Sequence, residues 1–179
     1  MATIALLAGG FTWTLLEYLL HRFVFHERRL GVALSREHLE HHAKVDWFAP
    51  MVRKLLLAAV VLPTLTLLAV PLVGWGAGCA YVSGVVGGWL AYEALHRAIH
   101  VWAPRSAYGR YIWRHHLYHH FGDPRRNHGV SSPVWDVVFF THMRVTTVTV
   151  PARAARKLPW LLDGDVIPAH LAGTYVLRA

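Results

Sequence analysis

The sequence predicts an all-α integral membrane protein with about three transmembrane helices and a helical cap on one face. Three observations carry this expectation. Hydrophobic residues make up 55% of the 179, and charged residues only 16%. Residues 55–92 contain no charged side chain. Most of the fourteen histidines gather in two polar, basic blocks that flank the apolar runs. The length suits one domain, taken as residues 1–179.

Each element follows in order. Residues 3–25 (TIALLAGGFTWTLLEYLLHRFVF) carry only Glu17 and Arg22 as charges. The run is long enough for one span, placed at roughly 3–22. It lacks a basic leader and is followed by more apolar sequence, so it reads as a span and not as a cleaved signal. Residues 26–54 are polar and rich in histidine, and belong outside the hydrocarbon. The uncharged run 55–92 is too long for a single span. Pro71, Gly74, Gly76 and Gly78 near its middle mark a turn, which predicts a helical hairpin of roughly 55–73 and 77–95. Gly84, Gly87 and Gly88 in the second arm would let another helix approach closely. A second histidine-rich block spans 96–142. Residues 133–150 are moderately apolar but interrupted by Asp136, His142 and Arg144. They read as a surface-lying or re-entrant segment.

The formal net charge is +8. The basic residues flank apolar segments and form no tract with interleaved stacking aromatics, so nucleic acid is not an expected partner. The segment before residue 17 and the turn near Gly76 lack Lys and Arg, whereas 22–54 and 97–126 carry many. The positive-inside rule places both basic blocks in the cytoplasm and the N-terminus on the opposite side. Both histidine-rich blocks therefore land on one membrane face. The single cysteine, Cys79, offers no disulfide, no CxxC pair and no iron–sulfur ligand set.

Ten of the histidines fall into four spaced groups. These are His21 and His26 (HRFVFH); His38, His41 and His42 (HLEHH); His96 and His100 (HRAIH); and His116, His119 and His120 (HLYHH). Residues at i, i+3 and i+4 share a helix face, so each HxxHH triplet aims three imidazoles one way. His21 and His26 lie about 140° apart on an ideal helix and converge only if the helix bends or ends between them. One metal rarely takes more than about six ligands, so ten imidazoles point to two metals. All-imidazole donors suit iron, zinc, copper or nickel, and ten exceed what structural zinc needs. His115 lies about 100° around from His116 and reads as a neighbour, not a ligand. His128, His142 and His170 are isolated. Glu17, four residues before His21, and Glu93, three before His96, are candidates to fix imidazole tautomers. Asn127, His128 and Asp136 are further candidates for supporting contacts.

These residues resemble the fatty acid hydroxylase superfamily, which includes sterol desaturases, and look most like its fatty acid 2-hydroxylase branch. EYLLHRFVFH at 17–26 is similar to the first histidine box of that branch, and HLEHH with FAP at 48–50 to the second. ALHRAIH at 94–100 and YIWRHHLYHHF at 111–121 resemble the third and fourth. NHGVSSPVWDVVFFT at 127–141 resembles the family ending NFGVTSPLWDxVFGT. The resemblance runs from about residue 10 to residue 142 and implies a non-haem pair of iron ions, replaceable by zinc on purification. The pair would be held by the ten histidines and would use O2 to hydroxylate a lipid acyl chain. It also implies that Gly129, Ser132, Pro133, Trp135 and Asp136 shape the floor of the site.

The chain departs from the family pattern in three places. Relatives have a further span before the first box, which this chain starts too late to hold. His128 stands where an aromatic is expected, and Phe140 where glycine is expected. No GxGxxG, haem-attachment motif or cysteine set supplies electrons, so an external donor such as cytochrome b5 or ferredoxin with its reductase is implied. Arg28, Arg29, Arg110, Arg114, Arg125 and Arg126 would suit an acidic donor or anionic headgroups. Phe11, Trp13 and Trp89 are candidates to line the lipid slot or to pack between helices. A carotenoid or sterol hydroxylase or desaturase is the nearest rival. A histidine-rich metal-binding or transport protein is the rival from another class.

Overall fold

Helix α1 (Ala2–Leu19) continues without a break into a π-helical turn, Leu20–His26. Then come α2 (Val32–Ala43), α3 (Met51–Val101), α4 (Ala107–Phe121) and the short α5 (Val134–Val138). Strand β1 (Val148–Pro151), α6 (Ala152–Ala155) and strand β2 (Tyr175–Arg178) complete the chain. The computed structural model describes residues 1–179.

The 51 residues of α3 form two antiparallel arms. Gly74 alone leaves helical geometry, at φ 80° and ψ 165°, which glycine adopts without a Cβ clash. Across the arms Gly78 lies against Val70, and Lys54 pairs with Glu93. A hairpin is thus present where one was expected, but its arms are longer. Pro71, Gly76 and Gly78 stay helical, because one residue at positive φ suffices to reverse the chain.

The arms leave their apolar side chains uncovered. Leu56, Val60, Leu67, Leu68, Leu72 and Trp75 are each more than 60% exposed. A core helix of a water-soluble protein would bury them. Ala2–His26 and Met51–Val101 are both long and apolar enough to cross a membrane. At about 1.5 Å per residue, each arm of α3 exceeds the roughly 30 Å of bilayer hydrocarbon.

α1 packs on the second arm through glycine. A Cβ at Gly84 would strike the Leu6 carbonyl, one at Gly9 the Tyr81 carbonyl, and one at Gly88 the Trp13 side chain. Gly87 meets nothing within 4 Å, so the expectation of close contact fails there. It lies about 60° around the helix from Gly84 and about 100° from Gly88, off the seam that those two form at i, i+4.

The cap has its own core. Val45, Ile99, Ile112, Leu117, Val148, Val150, Leu158, Leu161 and Tyr175 pack together, joining the end of α3, α4 and the C-terminal tail. Trp160 ties the tail to α3 by donating to the Ile99 carbonyl at 3.0 Å. β1 and β2 pair in parallel, Val148 opposite Tyr175 through Pro151 opposite Arg178. The chain is therefore mostly helical and not all-α. The β-branched run VTTVTV favours strand, and Val148 and Val150 are buried on one face while Thr149 is exposed. Residues 133–150 form no single surface or re-entrant helix. α5 stops after five residues, and Phe140 follows in the left-handed region at φ 58°.

Two outcomes are expected. Gly84→Leu should cost about 1–3 kcal/mol through overpacking, while Gly87→Leu should be near neutral. Thermal unfolding in detergent compares them, and equal melting temperatures would contradict the packing described. Phe140→Gly should raise stability by up to about 1 kcal/mol, because Phe140 is 86% exposed and loses no packing in the exchange.

Candidate metal centre

The ten box histidines meet where α1, α2, α3 and α4 end. They sort into two groups of five. His21, His26, His38, His42 and His119 form the first, and His41, His96, His100, His116 and His120 the second. Within each group, one ring nitrogen from each histidine lies within 4.8 Å of those of the other four. Neither group comes from a single box: the HLEHH and HLYHH triplets each divide their rings between the two groups.

The π-helical turn settles how His21 and His26 converge. Bonding from i to i+5 widens the turn to more than four residues, so positions five apart come onto one face. The two rings lie 5.1 Å apart, centre to centre.

Three rings have their tautomer fixed by backbone carbonyls. The Nδ1–H of His41 donates to Trp47 at 2.7 Å, that of His119 to Arg126 at 2.7 Å, and that of His21 to His128. Each Nε2 is then left with a lone pair, and those of His21 and His41 are buried without a partner. Nitrogens of His42, His96, His100, His116 and His120 are likewise buried and unpartnered. His26 Nε2 lies 2.9 Å from both His38 Nε2 and His119 Nε2, and His100 Nε2 lies 3.1 Å from His116 Nε2. Two nitrogens bound at about 2.1 Å to one ion, at right angles, would stand about 3.0 Å apart. Neutral imidazoles with inward lone pairs at this spacing fit a divalent transition metal in each group.

A loop of residues 126–131 braces the first group. Asp136 accepts from the backbone N–H of His128 and Gly129, both at 2.8 Å, from Thr141 Oγ1 at 2.7 Å and from His115 Nε2 at 3.1 Å. Burial alone would raise this carboxyl, but bonds from His115, His128 and Thr141 outweigh it and hold it well below the carboxylate range. Asn127, at φ 57°, bridges to Met143 through both ends of its amide. Gly129 has no room for a side chain, since a Cβ would strike the Ser132 carbonyl.

The acidic residues act otherwise than their spacing implied. Glu17 does not touch His21; it accepts from the backbone of Val130 and Ser131 and from the Ser131 hydroxyl. Its carboxylate lies on the α1 face that meets the loop, and the loop carbonyl reaches His21 first. Glu93 does not touch His96; it binds Lys54 across the hairpin and accepts from Trp89 Nε1 at 3.3 Å. His128 is buried beside the first group but belongs to neither. His115 bonds Asp136, His142 bonds the Tyr111 hydroxyl at 2.9 Å, and His170 is exposed. Phe11 packs on Trp135 and Trp13 on Tyr92, so these aromatics join helices together.

The spacing of residue types missed several contributors. The carbonyls of Trp47, Arg126 and His128 carry no side-chain signal. Tyr18, fully buried, bonds Thr141 at 2.9 Å and stacks on Phe139, pinning the segment that follows α5 to α1. Its place one residue after Glu17 on an apolar helix was the only hint. A groove of about 310 Å³ opens beside the second group, lined by Phe48, Met51, Lys54, Leu90, Glu93 and Arg97. The Phe48 ring stands between this groove and the histidines, 5.3 Å from His41 and 6.0 Å from His96.

Burial and the repulsion between neighbouring rings push His38, His42, His116, His119 and His120 well below the ordinary imidazole range. Burial takes His41 to about 4 against the opposing bond to Trp47. Such rings are neutral when folded and take up protons once unfolded. Chelator-stripped protein should therefore hold its full stability above pH ~6.5 and lose it as pH falls towards ~4. His41 alone would account for about 2 kcal/mol of that loss by pH ~5. Calorimetry from neutral to acid pH checks this, and a melting temperature that ignores pH would mean the rings are solvated.

Comparison with known proteins gives a consistent result. The sequence profile described as fatty acid hydroxylase matches residues 6–141. Dihydroceramide fatty acyl 2-hydroxylase FAH2 of Arabidopsis thaliana is 31% identical over 141 residues, covering 74% of this chain and 58% of the plant protein. Fatty acid 2-hydroxylase of Homo sapiens is 30% identical over 149 residues, covering 74% of this chain and 38% of its own length. The chain thus spans between about a third and three fifths of these relatives. A solved structure described as full-length scs7p, with only the hydroxylase domain visible, superposes with a TM-score of 0.63 at 27% identity. It covers 79% of this chain and 56% of that one.

Proposed function

This chain belongs to the fatty acid hydroxylase family, and on that premise we propose that it is a membrane-bound, non-haem di-iron oxygenase. It hydroxylates a lipid acyl chain with O2 and electrons from an external donor. The observation that carries this reading is the pair of five-histidine groups, lone pairs inward, at the root of an uncovered apolar hairpin. The names of relatives, dihydroceramide fatty acyl 2-hydroxylase and fatty acid 2-hydroxylase, support carbon 2 of the acyl chain as the position of attack.

The single domain crosses the bilayer three times, by α1 and the two arms of α3. The cap lies in the cytoplasm with Arg28, Arg29, Arg110, Arg114, Arg125 and Arg126, and the N-terminus lies on the opposite side. Iron held by the two groups supplies what no side chain can, the activation of O2 for attack on an unactivated C–H bond. The chain's own part is to hold the donors. Carbonyls of Trp47, Arg126 and His128 keep three imidazoles in the tautomer that presents Nε2. Asp136 and Glu17 hold the loop that carries two of those carbonyls. Buried Leu117, Ile112 and Val130 keep water away from the cap side. The groove beside Phe48 gives an acyl chain a way in from the level of the headgroups. Cytochrome b5, or a ferredoxin with its reductase, supplies the electrons.

The test is iron reconstitution under anaerobic conditions, followed by reduced donor, ¹⁸O2 and acyl lipid in nanodiscs. About two irons per chain are expected, and one ¹⁸O atom at carbon 2 of the product. His119→Ala should bring iron to about one per chain and product to background. Less than about half an iron per chain would remove the di-iron reading and favour a structural or transport role. An unlabelled olefin would make the protein a desaturase, and labelled carotenoid or sterol would move the substrate class.

A further inference from the structure

We propose that a basic groove on the cap is the docking surface for an acidic, one-electron carrier protein, which delivers its electrons over the stacked pair His42–His120. This rests on the oxygenase reading above and adds where, and through which residues, its reductant arrives.

The groove has a volume of about 480 Å³. Lys44, Arg153, Lys157 and Arg178 line it, all exposed, together with His42 and His120. These two rings stack with centres 4.0 Å apart and planes 9° apart. His42 belongs to the first group and His120 to the second, so one opening reaches both candidate metal positions. His42 Nε2 and both ring nitrogens of His120 are out of water, while the residues themselves are partly exposed. The rings therefore turn ring edges towards the groove and ligand nitrogens inward. A carrier seated here has one imidazole between itself and each site.

Charge selects the kind of carrier. Lys44 is paired with Glu40 at 3.0 Å, and Lys157 with Asp46 at 2.6 Å. Arg153 and Arg178 have no carboxylate partner, which leaves the rim with two free guanidiniums. Guanidinium binds carboxylates in fork geometry and steers acidic proteins by long-range attraction. No residue of the apolar arms of α3 lines this groove, so a lipid surface lying against those arms is the weaker fit. Arg153, Lys157 and Arg178 all lie beyond the 6–141 stretch that the family profile matches. Three of the four basic residues that line the groove therefore come from the C-terminal tail.

Each docking event transfers one electron. Two reduced carriers and two protons balance the reaction: O2 and C–H give C–OH and H2O, and two carriers leave oxidised.

The probe is the soluble haem domain of a cytochrome b5, with iron-loaded protein in nanodiscs, read as Kd by biolayer interferometry. Arg153→Glu with Arg178→Glu should weaken Kd by at least about tenfold, and wild-type Kd should weaken as salt rises from about 50 to about 300 mM. The control pair Arg28→Glu with Arg110→Glu should stay within about twofold. Iron content and melting temperature should not change in either variant. An unchanged Kd in the groove variant, an equal loss in the control pair, or no binding by wild type overturns the proposal. So does a groove variant that loses attachment to phosphatidylserine vesicles while keeping its carrier Kd. Failure of the oxygenase reading would appear separately, in the iron count and the ¹⁸O label.

Discussion

Ten imidazoles can share a buried volume only if they are neutral and their lone pairs have somewhere to point. A protonated ring there would face both desolvation and the repulsion of its neighbours. The structure meets this constraint with backbone, not with carboxylates. Carbonyls of Trp47, Arg126 and His128 take the Nδ1 protons of His41, His119 and His21 and turn each Nε2 inward. Buried carboxylates in the same role would add negative charge to each group and lower the net charge of any bound pair.

That arrangement makes the 126–131 loop as important as the helices. Two of the three carbonyls lie in it, and it has no regular structure to hold it. Asp136 and Glu17 do the holding, accepting from four backbone N–H groups between them. The two carboxylates come from opposite ends of the matched region, one on α1 and one on α5. The loop is thereby tied to the membrane-side helix and to the cap at once, and His21 is placed against it.

The apolar hairpin and the polar cap divide the work. The hairpin has almost no polar content to satisfy, so its helices can leave leucines and valines uncovered in an apolar surrounding. The cap buries its own core against the end of α3 and so excludes water from the histidines. The glycine face of Gly84 and Gly88 brings α1 close to the second arm. This contact sets where the π-helical turn, and with it His21 and His26, emerges.

The sequence by itself determined the helical hairpin and the gathering of the box histidines at one site. Those features rest on periodicity and charge, which are local. It also carried the family resemblance, because the boxes are contiguous. Only the tertiary structure decided which rings share a group. Spacing aims His38, His41 and His42 one way, yet His41 faces α3 and its two neighbours face the π-turn, since the split depends on what packs on each side. Spacing likewise made Glu17 a candidate partner of His21 and Glu93 of His96, and both found other partners, because the nearest donor in space came from a distant loop or arm. The parallel pair β1–β2 and the basic groove it borders were beyond sequence reading for the same reason. Both join residues whose separation along the chain says nothing of their distance in the fold.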